Sequence, residues 1–422
     1  MTDEAGRTPG LLAPYRVLDL SDASGFLCGK ILADLGADVI KVEPPGGDPA
    51  RWMEPFPTPQ AQEKQGLYWL SYNTDKRGIT LNLGASRGQE LFGRLVRSAD
   101  FVIETYPPGR SVELGLGWET LRRLNPRLVL ISITPFGQSG PYRDYKGSDL
   151  IAMAMSGMMS LVGQPDQPPL RVSLPQAPLW AGMYAAAGGL IAHTHRELTG
   201  VGQQVDISLQ SALLWALANA PAFWATNRTS LSRAGTVVTG RSITGATMRA
   251  IYPCQDGHIN FIIYGGAAGR RSNEALVEWL AEEGLATGGL LKKDWDHFDI
   301  VTSTQTEIDE LENPTQELFR RTTKAEFLEQ GFKREMLGYP VANAHDILDD
   351  PHPQARGFWH TLDCPALGRT LKFPGGFARF SEASAGPCRP APRVGEHNAE
   401  IYSGELGLAE FELAELQRDG VI

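Results

Sequence analysis

The sequence predicts an α/β protein, with a doubly wound, mostly parallel sheet in a large domain and a smaller α+β domain inserted into it. Two observations carry this prediction. Over the first 135 residues, short apolar runs alternate with stretches of helical spacing, as βαβ units do. Near Phe223 and again near Pro340 the composition changes, which brackets a middle section of different character.

The elements follow in order. Arg16–Leu20 (RVLDL) is a short apolar run, and Phe26–Leu35 has helical spacing closed by Gly36, a C-terminal glycine. Asp38–Val42 (DVIKV) is a second strand, and Ile79–Leu83 (ITLNL) alternates with period two. Ser86 to Ser98 reads as a helix with Leu91, Leu95 and Val96 on one face. Phe101–Glu104 and Leu128–Thr134 are further strands, separated by a helical stretch around Leu121. Between Asp149 and Gly202 the chain is rich in Met, Gly and Ala, small enough for close helix packing. Within it, Leu179–His193 is too short and too rich in Gly and Ala to span a bilayer and reads as a packed core helix. Val205–Leu209 is one more strand. The middle section holds strands around Ile259–Tyr264 and helices at about Asn273–Gly284 and Thr315–Gly331. After Pro340 the chain is rich in Pro and Gly, and GELGLAEFELAELQRDGVI closes it as a short amphipathic helix. The expected domains are 1–222, 223–339 and 340–422. No internal repeat is present.

Composition narrows the function. Lys plus Arg number 39 against 49 Asp plus Glu, a net charge of −10, which argues against nucleic acid or an anionic membrane as partner. Cys28, Cys254, Cys364 and Cys388 form no metal-ligand spacing and read as reduced thiols of a cytoplasmic protein. His193 and His195, two apart, do not share a helix face, so no metal site is expected there. The N-terminal MTDEAGRTPG has acids and no apolar segment, so no leader is expected.

Single motifs are few. Gly84–Gly88 (GASRG) matches G-x-S-x-G between a strand and a helix, the context of a nucleophile elbow that would expose Ser86; the alternative is that Ser86 N-caps the helix. The turn SDASGFLCG after the first strand is not a dinucleotide fingerprint, and no Walker A sequence occurs.

Longer signals follow one another in a fixed order. They include ADLGADVIKVEPPGGDPAR (Ala33–Arg51), NTDKRGITL (Asn73–Leu81), SADFVIETYPPG (Ser98–Gly109), LGLGWETLRRLNPRLV (Leu114–Val129) and FGQSGPY (Phe136–Tyr142). After them come SDLIAMAMSGMMSLVG (Ser148–Gly163), TGVGQQVDISL (Thr199–Leu209), VANAHDILDDPHPQARGF (Val341–Phe358) and RVGEHNAEIYSGELGL (Arg393–Leu408). Together they resemble the class III CoA-transferases of the formyl-CoA and carnitine-CoA transferase type. The resemblance implies an interlocked dimer whose large domain is made from both ends of the chain. It also implies transfer of CoA from an acyl-CoA donor, such as succinyl-CoA, to a carboxylic acid. In that chemistry an aspartate attacks the thioester to give a mixed anhydride, and the CoA thiolate then forms an aspartyl-CoA thioester.

The same resemblance places Pro178 at the position of that aspartate, within QAPLWAGMYAA (Gln176–Ala186). Proline offers no nucleophile; its ordinary role there is to open a helix. The loop after the first strand, Asp22-Ala23-Ser24-Gly25-Phe26, lacks the family's Ala-Gly-Pro, and Ser148 stands where the family's racemases use histidine. On the CoA side, Arg51, Lys76 and Arg77 match family cations, and Tyr106 matches an aromatic position beside the nucleotide. Glu113 falls where several members carry arginine. The resemblance implies CoA or an acyl-CoA as substrate, no tightly bound cofactor, and a paralogous catalytic subunit as partner. The alternatives are a homodimer with altered or lost chemistry on CoA thioesters, and a serine hydrolase using Ser86.

Overall fold

The structure, a computed structural model, describes residues 10–56, 66–365 and 367–422. The chain forms two compact units, one spanning residues up to 159, Arg171–Thr229 and Pro351–Ile422, the other Ser160–Leu170 and Ser230–Asp350.

The first unit is built on β1 (Arg16–Asp19), α1 (Phe26–Asp34), β2 (Asp38–Glu43), α2 (Leu67–Tyr72), β3 (Arg77–Thr80), α3 (Ser86–Val96), β4 (Phe101–Glu104), α4 (Arg110–Glu113), α5 (Trp118–Leu124), β5 (Val129–Thr134), α6 (Asp149–Met155), α7 (Ala177–Thr199), β6 (Gln204–Ser208), α8 (Leu209–Ala216) and α9 (Asn219–Asn227). Its sheet has the order β3-β2-β1-β4-β5-β6, and every pairing is parallel. The central strands β4 and β5 are mostly apolar on both faces, as a sheet covered on both sides requires. Val17, Val39, Phe101, Ile103 and Ile131 face α1 and α7. Leu18, Ile40, Val102 and Leu130 face α3, α5 and the C-terminal segment. The small residues of α7 do what their size allows. A Cβ on Gly182 would lie 2.9 Å from Leu27 Cβ of α1, so glycine sets that helix–helix distance.

Two expected helices are corrected. The stretch predicted as one helix at 315–331 is two, Gln305–Arg320 and Lys324–Lys333, because the Thr323 side chain accepts from Glu326 N–H and caps a new start. The amphipathic C-terminal helix is limited to Glu410–Arg418 and follows a π-helical turn over Ala399–Glu405. Ile401, Tyr402 and Leu416 of this segment are buried in the core of the large sheet.

The second unit carries an antiparallel sheet of Ile251–Cys254, Gly257–Phe261 and Gly338–Pro340. Tyr252, Phe261, Trp279, Phe319 and Phe327 form its aromatic core.

Strand order reverses at β1, since β2 and β3 lie to one side and β4, β5 and β6 to the other. In an open parallel sheet, ligands bind outside the carboxyl ends of the strands at such a switch point. Among the described residues no helix is long and apolar enough to cross a membrane, and no cluster of His, Cys, Asp and Glu could hold a metal.

Candidate active site

Two cavities open at the carboxyl ends of the strands. The first, of about 620 Å³, is lined by residues following β1, β2, β3 and β4, among them Asp22, Glu43, Asp48, Leu83, Tyr106 and Arg110. The second, of about 570 Å³, lies beyond β4 and β5 and is lined by Asp22, Ser24, Lys146, Ser148, Asp149 and Pro178, among others. Asp22, Thr105 and Pro107 line both.

Pro178 sits in the first turn of α7. Asp149 Oδ1 accepts hydrogen bonds from the backbone N–H groups of Gln176 (2.7 Å) and Ala177 (2.8 Å), so a carboxylate from α6 caps the turn that carries Pro178. Sequence distance concealed this residue. Asp149 lies 28 positions before Ala177 and becomes its neighbour only when α6 and α7 dock. Its lone pairs go to the helix end, where N–H groups have no helical partner. Ser148 N-caps α6, accepting from Ile151 N–H at 3.4 Å.

The loop after β1 is fixed from several sides. Asp22 N–H donates to Thr105 Oγ1 at 2.8 Å, Ser24 N–H donates to Asp22 Oδ1 at 2.9 Å, and the Tyr68 hydroxyl donates to Ala23 O at 3.1 Å. The Asp22 carboxylate is therefore held at the neck between the cavities.

Three of the four residues that matched a CoA-binding pattern are enclosed in the scaffold. Lys76 is buried. Its ammonium donates to Asp19 Oδ2 (2.8 Å), Asn73 Oδ1 (2.9 Å) and the carbonyl of Phe26 (3.1 Å). Burial lowers the Lys76 pKa against the opposing pull of Asp19. Burial alone would raise that of Asp19, but Lys76 and Lys41 outweigh it and hold the carboxyl below the usual range. Arg51 is buried as well. Its Nε and Nη2 each lie 2.6 Å from a Glu43 carboxylate oxygen, Nη1 donates to Pro392 O, and the guanidinium lies 3.7 Å over the Trp69 ring. Arg77 bonds Asp38 through Nε and Nη2 and both Glu400 and Glu405 through Nη1, which ties the C-terminal segment to β2 and β3. Burial works against its charge, yet the three carboxylates raise its pKa above the ordinary value.

Tyr106 lines the first cavity, with its phenol pushed up to about 12 by burial. Arg110 is the one cation among the lining residues of that cavity, and it pairs with Glu113 at 2.8 Å. The acids of the lining are Glu43, paired with Arg51, Asp48, facing Lys41 at 3.6 Å, and Asp22. A polyanionic ligand therefore meets little uncommitted positive charge here.

Ser86 starts α3 but forms no hydrogen bond among those described. The N-cap is Ala85, without a side-chain bond. The GASRG string has a packing explanation instead, because a Cβ on Gly88 would fall 1.9 Å from Asn82 O.

Comparison with known proteins places these features. Residues 12–398 match the sequence model of CoA-transferase family III. The chain is 36% identical over 414 residues, 97% of each chain, to subunit BbsE of succinyl-CoA:(R)-benzylsuccinate CoA-transferase from Thauera aromatica. It is 34% identical over 423 residues, 99% of each chain, to succinyl-CoA–D-citramalate CoA-transferase from Chloroflexus aurantiacus. The crystal structure of a CAIB/BAIF family protein from Brucella suis superposes with a TM-score of 0.79 at 29% identity, covering 94% of this chain and 100% of that one.

Proposed function

The chain belongs to CoA-transferase family III, and from that premise we propose that it is the non-catalytic subunit of a heteromeric CoA-transferase, paired with a paralogous chain that supplies the nucleophilic aspartate. The observation that carries this reading is the first turn of α7. A pyrrolidine ring stands there in a cavity that opens at the switch point. A carboxylate is needed to form the mixed anhydride and then the CoA thioester. One carboxylate of the same cavity, Asp149, accepts through Oδ1 from the N–H groups of Gln176 and Ala177 and so serves the helix start.

Two further features support a partner chain, in the interlocked arrangement implied by the family. α9 buries none of its residues within this chain, and Trp215 and Trp224 are 71% and 52% exposed. Aromatic surface of this extent is characteristic of interaction sites. Relatives that act on succinyl-CoA, including a benzylsuccinate CoA-transferase subunit, point to succinyl-CoA as donor and benzylsuccinate as a first acceptor to assay, in the cytoplasm. In this chain's own first cavity, Tyr106 would lie against the nucleotide, while Arg51, Lys76 and Arg77 would act from beneath by holding the loops in place.

The test is purification of the tagged chain from its native host. A one-to-one complex with a second family member that has Asp at the position of Pro178 is the expected result. Robust CoA transfer by the pure chain alone would overturn the reading.

A second reading, a homodimer acting on CoA thioesters by itself, has one observation in its favour. Asp22 is an acid at the neck shared by both cavities. If it acted, CoA transfer by the pure chain would disappear in Asp22→Asn, whose amide keeps the acceptor for Ser24.

A further inference from the structure

A third cavity, of about 480 Å³, lies within the C-terminal part of the first unit, apart from the two at the switch point. Its chemistry differs from theirs. Arg356, Arg379 and His360 line it together with Phe358, Phe377 and Phe380, and no lining residue is acidic, in a chain of net charge −10. Neither arginine forms an ion pair among the described residues, whereas Arg51, Arg77 and Arg196 each face carboxylates. Phe377 is 70% exposed.

The cavity is built on a defined element. His360 belongs to the hairpin of Trp359–Cys364 with Arg369–Pro374 and pairs with Phe373. Its Nδ1 lies 3.0 Å from Pro387 O, an acceptor only, so Nδ1 carries the proton. The other edge of the ring fits against Gly375 and Gly386, where a Cβ would come within 3.0 Å of Nε2. The ring is thus fixed in place at the cavity wall.

We propose that this cavity binds a small aromatic carboxylate. Two uncommitted guanidinium groups offer the fork geometry that a carboxylate accepts. Three phenyl rings offer edges and faces to an aromatic body. A nucleotide has the right charge, but the cavity has no Asn, Gln, Asp or Glu to read a base edge. The volume lies within the range of small-molecule sites.

The test is calorimetric titration of the purified protein, in the assembly it forms, with phenylacetate. Cyclohexylacetate, AMP and inorganic phosphate are the comparison ligands. Phenylacetate should bind saturably, and Arg356→Ala and Arg379→Ala should each weaken it by about tenfold or more, the scale of one charge-assisted pair. Phe377→Ala should weaken phenylacetate more than cyclohexylacetate. All three side chains are on the surface and without ion-pair partners, so these variants keep the fold. Absence of saturable binding would overturn the proposal. So would affinity unchanged in both arginine variants, which would place phenylacetate elsewhere, in the cavity of Pro178 for instance. Binding of AMP or phosphate as tight as that of phenylacetate would overturn it too. None of these outcomes depends on whether the chain is catalytic.

Discussion

Replacing Pro178 by aspartate asks directly whether the site lacks only its nucleophile. The structural cost is small. Proline in the first turn removes an N–H that would be unpaired in any case, so the fold loses no hydrogen bond when it goes. The unfolded chain regains backbone freedom, a penalty of about 0.4–1 kcal/mol. A carboxylate in the first turn gains about 0.3–1 kcal/mol from the helix dipole. The two nearly cancel, and the melting temperature should change little. The dipole gain also means a downward pKa shift of about 0.2–0.7 units, with the charge of Asp149 pushing the other way. The introduced carboxylate therefore stays ionised at neutral pH and available for attack. Incubation of Pro178→Asp with succinyl-CoA, followed by denaturation and intact mass spectrometry, should show a CoA adduct that hydroxylamine releases, and the parent should show none. Equilibrium dialysis with labelled acyl-CoA supplies the control. If the variant binds acyl-CoA and forms no adduct, the reasoning fails, because the site then departs from the family in more than one atom group. If neither protein binds acyl-CoA, the proposed placing of a nucleotide against Tyr106 in the first cavity is refuted.

Other perturbations test the parts of the argument separately. Lys76→Met should destabilise the protein by about 3–5 kcal/mol in urea unfolding, because Asp19 would be left buried without its ion-pair partner; unchanged stability with weakened CoA binding would instead make Lys76 a ligand residue. Trp215→Ser with Trp224→Ser should abolish recovery of the partner chain while leaving circular dichroism unchanged; full recovery would remove α8 and α9 from the interface. Glu312, buried in the second unit, has a pKa raised to about 7, with burial the main cause. The folded state then holds a proton that the unfolded state releases, so stability is greatest below about pH 4.5 for this group and falls as pH rises to about 7, by at most about 3 kcal/mol. Glu312→Gln keeps an acceptor for Arg249 N–H and should flatten the melting-temperature slope of the second unit between pH 5 and 8; an unchanged slope would reassign it.

How much of this the sequence displayed depends on whether the signal was local. The βαβ order was legible because short apolar runs such as Phe101–Glu104 and small-residue helices such as α7 carry their pattern within a few residues. The break at Arg321–Thr323 was missed because apolar spacing continues across it, and only the Thr323 cap marks the new start. Pro178 was legible as a helix opener, because proline suits a first turn. Asp149 was not, since its role depends on α6 docking against the start of α7. The matched cations show a different limit. A Lys or Arg looks alike in sequence whether it faces solvent or a buried acid. Asp19, Glu43 and Asp38 meet Lys76, Arg51 and Arg77 only through strand pairing and loop packing.

That limit bears on what the matched cations do for the fold. Asp19 and Lys76 join the end of β1 to the segment before β3, Glu43 and Arg51 close the loop after β2, and Arg77 with Asp38, Glu400 and Glu405 holds the C-terminal segment against the sheet. Removing one member of a buried pair costs several kcal/mol, because the other charge remains buried. Total stability is typically about 5–15 kcal/mol, so such losses are barely tolerable. Folding alone is then reason enough for Arg51, Lys76, Arg77 and their acidic partners to stand where they do. Pro178 bears no such constraint. It lies in a first turn where Asp149 already accepts from the N–H groups of Gln176 and Ala177, so the helix start does not depend on the side chain at 178. On the proposed reading, a proline at position 178 beside intact buried ion pairs is what relaxed catalysis and continued assembly would leave together.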